Sequence, residues 1–216
     1  MVKEAFNKLP DEKKNTIIKS GIAEFSKKSY SEVSTDEITK NSGISKGLLF
    51  HYFGSKREFY FYCLEQALER LVTEMHEPKT NDFYEIIFSS MEEKISICRR
   101  FPEEMRFVNM AARETNSQVF IEKNEILAKY MKKTKEKSAK IIAKAVASLN
   151  LKKTDIDKVT DAFTLYIGAI INRYLEIYKE KPDLFFQKSE EIKGDIREYI
   201  DFLLYGVVKD EGNEED

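Results

Sequence analysis

Residues 34–56 read STDEITKNSGISKGLLFHYFGSK, and this stretch decides the fold. Ser34-Thr35-Asp36-Glu37 has the form of a capping box, in which the Ser34 hydroxyl and the Glu37 carboxylate each satisfy a backbone N–H that a helix start leaves unpaired. Ile38 then faces inward. After a helix of seven or eight residues Gly43 supplies the left-handed geometry that stops it, Ile44 plugs the bend, and Ser45 can cap the helix that follows. Helix, short glycine turn and helix make a helix-turn-helix unit. Its second helix, 46–53, mixes glycine, aromatics, a histidine and a lysine, so the stretch is expected to divide between core and surface.

Outward from this unit the chain reads as helix throughout. Its four prolines, Pro10, Pro78, Pro102 and Pro182, fall between periodic segments, where proline is tolerated because a helix's first turn does not use its N–H groups internally. Helices are expected at 11–28, 35–42, 46–53, 55–76, 82–99, 102–114, 117–148, 155–180 and 183–208, about nine in all, with no strand. Asp11 and Glu12 suit the positive end of the first helix, which turns Ile17, Ile18, Ile22 and Phe25 to one face. Gly21, inside that helix, is read as a local weakness. The fold class is therefore all-α.

Length and composition agree with this. With 216 residues the chain can hold a small domain joined to a larger one. Hydrophobic content of 42% beside 34% charge is that of a globular chain, and only 8 glycines and 4 prolines leave little material for tight turns. The start, MVKEAFNKLPDEKK, is too polar for a secretory signal, and no apolar run reaches the roughly 20 residues of a membrane span, so a cytoplasmic protein without a membrane partner is expected. Cys63 and Cys98 lack metal-ligand spacing and read as packing residues. The net charge of -2 hides an asymmetry: residues 1–60 carry eleven Lys/Arg against eight Asp/Glu, and the acidic excess lies beyond them. A basic amino end is the charge a nucleic-acid partner would need.

Ser34 to Lys56, with its cap, the Gly43-Ile44-Ser45-Lys46-Gly47 turn, the run Phe50-His51-Tyr52-Phe53 and the closing Ser55-Lys56, resembles the amino-terminal signature of the TetR family of transcriptional repressors. The resemblance covers about residues 11–60. It implies a three-helix, homeodomain-like DNA-binding domain over 1–54 and a helical ligand-binding and dimerisation domain over 55–209, while the polar, acidic run 210–216 is expected to be a disordered tail. It further implies DNA contacts from Ser34, Thr35, Ser45, Lys46, Gly47, Leu48, His51, Tyr52 and Lys56. Among these, Lys46, Tyr52 and Lys56 would hold phosphates. Physical chemistry is consistent with that assignment, since N–H groups at 34–36 and 45–47 can receive anions and Gly47 lets a duplex approach closely. Leu48 and Phe50 stand where the family often has Thr and Tyr. Leu48 can still meet a thymine methyl. Phe53 is assigned to the core.

The remaining residues suggest a bundle. Residues 162–171, AFTLYIGAII, are apolar around most of the helix, so they need cover on more than one side. Ile192, Ile196, Tyr199, Leu203 and Val207 recur at steps of four and three. By similarity to the family's four-helix dimer seam, Ile170, Ile196, Tyr199, Leu203 and Val207 are expected at a homodimer interface, with Gly168 and Gly206 allowing close approach. An adaptable apolar pocket is expected among Phe88, Met91, Met105, Asn109, Met110, Arg113, Tyr130, Tyr166 and Arg173. His76 and the lysine-rich run 132–140 read as ordinary surface.

Phosphate-cradling glycine motifs and the Glu-x-x-His pairs of a di-iron bundle are missing, so neither an enzyme nor a cofactor or metal is expected. The reading is a ligand-responsive repressor of a palindromic operator, with double-stranded DNA, a small apolar effector and a second copy of the chain as partners. A helical ligand-binding or adaptor protein whose helix-turn-helix is only scaffold is the alternative.

Overall fold

A computed structural model of the chain describes residues 4–178, 184 and 187–206. Among them lie ten helices and no strand: α1 (Glu4–Asn7), α2 (Asp11–Phe25), α3 (Thr35–Ser42), α4 (Lys46–Phe53), α5 (Lys56–Thr73), α6 (Phe83–Arg100), α7 (Pro102–Arg113), α8 (Phe120–Ala147), α9 (Ile156–Ile177) and α10 (Ser189–Tyr205). The helices expected up to 180 are present with ends that differ by up to three residues, whereas the one expected at 183–208 is described only from Ser189 to Tyr205, with 183, 185, 186, 207 and 208 outside the described residues. α1 is the addition, a single turn too short to show in a periodicity. It forms because Phe6 is fully buried, with its ring 4.8 Å from Phe53 and 5.6 Å from Tyr52. Val207 and the acidic tail lie outside the described residues.

Two compact units divide the chain. Unit 1 comprises residues 1–76 and 93–137, and unit 2 comprises 77–92 and 138–216. This differs from a boundary at 54. The helix-turn-helix does not close its own core: Phe53 meets Phe59 of α5 at 4.6 Å, and Phe25 of α2 stacks on Phe107 of α7 at 5.5 Å. One apolar cluster therefore runs from Phe6 to Tyr130 through α2, α5 and α7. Unit 2 has a separate cluster that includes Ile86, Ile87, Ile142, Phe163, Ile167, Ile192, Ile196 and Ile200.

Gly21 is not a weakness. A Cβ built there would lie 2.6 Å from Cys63 Sγ and 2.6 Å from Phe59 Cζ, closer than any packed carbon sits. The residue is glycine because α2 and α5 touch at that point. Cys63 is fully buried beside it, and burial pushes its thiol well above the usual range. The lysine-rich run is likewise more than surface. Lys133 pairs with Glu69 at 2.9 Å, and Lys137 Nζ donates to the carbonyls of Val72 (2.7 Å) and Met75 (3.1 Å), closing the carboxyl end of α5.

Candidate nucleic-acid interface

The helix-turn-helix forms through local hydrogen bonds. Gly43 takes φ 63°, and the N–H of Ile44 reaches back to the Thr39 carbonyl at 3.1 Å, the left-handed stop expected from the sequence. Ser45 Oγ accepts the N–H of Leu48 at 3.2 Å and starts α4. At α3 the capping box is only half made. Ser34 Oγ accepts from the N–H of Asp36 at 3.2 Å, but Glu37 turns away to Lys28, whose Nζ donates to it at 3.1 Å. That hydrogen bond holds the Glu37 carboxyl below its ordinary range and raises the Lys28 ammonium.

The nine expected contact residues divide. Ser45, Lys46, Gly47, Leu48 and His51 form one exposed face at the amino end and outer side of α4. A Cβ at Gly47 would meet nothing but Ser45 Oγ at 3.9 Å, so the interior does not require glycine there. Ser34 is half-buried and Thr35 buried, so these two offer backbone and little side chain.

Tyr52 is a correction. It is only 6% exposed, and its ring packs between the apolar rings around Phe6 rather than standing out from α4. Its place on the helix, one residue after His51, sets it on the core side, and α1 covers it. Lys56 is half-buried: its Nζ sits 4.8 Å from the centre of the Tyr30 ring, and desolvation lowers its ammonium pKa. Lys46 is exposed yet engaged, pairing with Asp36 at 3.0 Å. Asp36 was missed by sequence reasoning because its carboxylate looked like a helix-start residue only. A phosphate would have to take Lys46 from it.

The expected pocket and seam are altered as well. Met105, Asn109, Met110, Arg113 and Tyr130 belong to unit 1, whereas Phe88, Met91, Tyr166 and Arg173 belong to unit 2, so neither unit holds the expected set. None of the nine lines either of two cavities. One of ≈ 310 Å³ in unit 1 lies among Phe53, Phe61, Tyr62, Ile126 and four glutamates, and one of ≈ 330 Å³ in unit 2 lies at the α8–α9 turn.

In unit 2, Ile170 and Ile196 are buried in the unit's own core and cannot form a seam. Tyr199 is half-buried, its hydroxyl accepting from Arg173 at 2.9 Å, while Leu203 is exposed. Among the described residues, α9 and α10 leave Ile156, Leu165 (75% exposed), Ile177, Phe202, Leu203 and Tyr205 (76%) exposed. A Cβ at Gly168 would meet nothing within 4 Å. Among the described residues there is no group of His, Cys, Asp and Glu able to hold a metal ion, and no helix long and apolar enough to cross a membrane.

The described residues are all-helical, with a capped helix-turn-helix packed on α5. Residues 17–63 match the family described as bacterial regulatory proteins, tetR family. A curated relative, the HTH-type transcriptional activator FasR of Mycolicibacterium smegmatis, is 32% identical over 68 residues, which is 31% of this chain and 31% of that protein. The chain therefore aligns with less than a third of that relative's length.

Solved structures with the same fold include a TetR family regulator from Chloroflexus aurantiacus J-10-FL (20% identity, 95% of this chain and 98% of that one, TM-score 0.55). A transcriptional regulator candidate from Pseudomonas aeruginosa PAO1 also shares it (12% identity, 94% and 96%, TM-score 0.60). So does a candidate fatty acid metabolism regulator from Clostridium perfringens (16% identity, 90% and 99%, TM-score 0.53). Residues 17–63 thus carry a tetR-type regulatory domain, and the fold of the chain is one it shares with these solved structures.

Proposed function

We propose that the chain is a homodimeric, DNA-binding transcriptional regulator that reads a palindromic operator with α4 and leaves it when a small, largely apolar molecule binds the helical body. The observation that carries this reading is the exposed face Ser45-Lys46-Gly47-Leu48-His51 on a short helix whose opposite side is entirely core. Such a helix can enter a major groove amino end first, with Lys46 and the N–H groups of its first turn on phosphates and Leu48 and His51 toward base edges. Where the operator overlaps a promoter, occupancy blocks transcription, and the chain acts as a repressor.

A ligand that displaces α7 against α5 would move the two reading helices out of register. By linkage, DNA must then weaken the ligand's affinity by the same factor. The test is fluorescence anisotropy against duplexes selected in vitro. Affinity should fall steeply with salt, and Lys46→Ala should weaken all duplexes and flatten the salt slope by about one unit per protomer. An unchanged slope removes the phosphate role of Lys46, and the absence of any selected duplex removes the reading as a whole.

Asp36 supplies a second test. Because its carboxylate competes with phosphate for Lys46, Asp36→Asn should tighten binding by roughly three- to tenfold at low salt, with the gain fading as salt screens both charges. Equal or weaker binding would mean that Asp36 only positions the lysine.

A further inference from the structure

The segment carrying α3 and α4 runs from residue 31 to residue 56, and both of its flanks are tied to one place in unit 1. On the amino side, the backbone N–H of Tyr30 donates to Glu114 Oε2 at 2.7 Å. On the carboxyl side, Arg57 Nε donates to the Gln118 carbonyl at 2.6 Å, and Arg57 Nη2 pairs with Glu122. Glu114, Gln118 and Glu122 all lie in or beside the corner that joins α7 to α8.

That corner is stiff in its own right. Glu114 Oε1 accepts the N–H of Asn116 at 2.9 Å, and Asn116 Oδ1 accepts the N–H of Gln118 at 2.9 Å. Buried Lys123 donates to the Ala112 carbonyl at 3.3 Å. Loop N–H groups are ordinarily satisfied within a few residues by turn chemistry. Tyr30 instead uses a carboxylate 84 residues away, and its ring is held 5.3 Å from that of Tyr60. Glu114 is also the cap residue of α7, so any shift of that helix's carboxyl end is delivered to the loop before α3.

We propose that the α7–α8 corner is a clamp that positions the helix-turn-helix, with Glu114 and Arg57 as its two positioning residues. Held at both flanks by a single corner, α3 and α4 move as one body with it. The clamp's consequence for operator choice rests on the DNA-binding reading above, but its mechanical part does not.

The experiment compares full-length wild type with Glu114→Ala, Glu114→Gln and Arg57→Met by amide hydrogen exchange and by DNA binding. In Glu114→Ala, exchange over 29–53 should rise by about tenfold while the α5 core, 59–72, keeps its wild-type rate. Glu114→Gln keeps an acceptor oxygen for Tyr30 and should restore most of the protection, and Arg57→Met should loosen the same segment from its other flank. On DNA, the ratio of affinities for the selected duplex and a scrambled one should fall by about tenfold, with the scrambled affinity unchanged, since phosphate attraction needs no fixed register.

Unchanged exchange over 29–53, an equal rise over 59–72, or equal loss on both duplexes would overturn the clamp, because those are the marks of no role or of general destabilisation. If wild type binds no duplex, the DNA-binding reading fails, and the exchange pattern alone still decides for or against the clamp.

Discussion

If the chain is the operator-binding homodimer proposed above, Leu165→Glu should leave the isolated chain folded, convert the dimer to monomer, and lower operator affinity by at least about 100-fold. Leu165 is 75% exposed within its unit, so a carboxylate there costs the single chain almost nothing. Ile177 on α9 and Phe202, Leu203 and Tyr205 on α10 are exposed as well, and large apolar side chains left exposed on two helices are what a partner surface would cover. In a homodimer those side chains cover one another, and a glutamate would be buried without a partner. Loss of the second reading head removes the high effective concentration that makes two half-sites about 34 Å apart bind as one. Sedimentation at micromolar concentration and anisotropy on the same preparation make the check. A dimer that persists would place the seam elsewhere.

Gly21→Ala should destabilise unit 1 by about 1–3 kcal/mol, against the usual direction for glycine to alanine in a helix, which favours alanine by about 1 kcal/mol. The added methyl has no space: Phe59 and Cys63 of α5 already occupy it at 2.6 Å. Overpacking must then push α2 from α5 or drive the Phe59 ring off its rotamer. Cys63→Ala removes one of the two obstructing groups, so the double variant should recover part of the loss, and thermal unfolding of the four proteins forms a double-mutant cycle. A Gly21→Ala protein that melts above wild type would show that the two helices part easily at this crossing.

Both predictions turn on contacts between distant residues, and these mark the limit of what could be read from the chain. Helix positions were legible because their signals are local. Gly43 needs only its own φ of 63°, and the Ser45 cap reaches three residues along the chain. The exposed face of α4 was equally legible for Lys46, Gly47, Leu48 and His51, whose placement follows from helical spacing once the start of α4 is known. Tyr52 was misplaced because its covering partner, Phe6, sits on a one-turn helix with no periodicity of its own. Ile170 and Ile196 were misplaced for a related reason: an all-round apolar helix does not say which side meets its own core and which awaits a partner.

The amino-acid order, through caps, a left-handed glycine and 3.6-residue periodicity, thus sufficed for the all-helical class and for the place of most helices. Tertiary packing alone decided that Gly21 is a crossing point and that Asp36 guards Lys46. It alone showed that the helix-turn-helix shares its core with α5 and α7 and that its flanks bond to the α7–α8 corner through Glu114 and Arg57. The physical reason is range: a backbone hydrogen bond or a cap is settled within four residues, whereas a methyl's room or a carboxylate's partner depends on side chains brought together from 10 to 84 positions away.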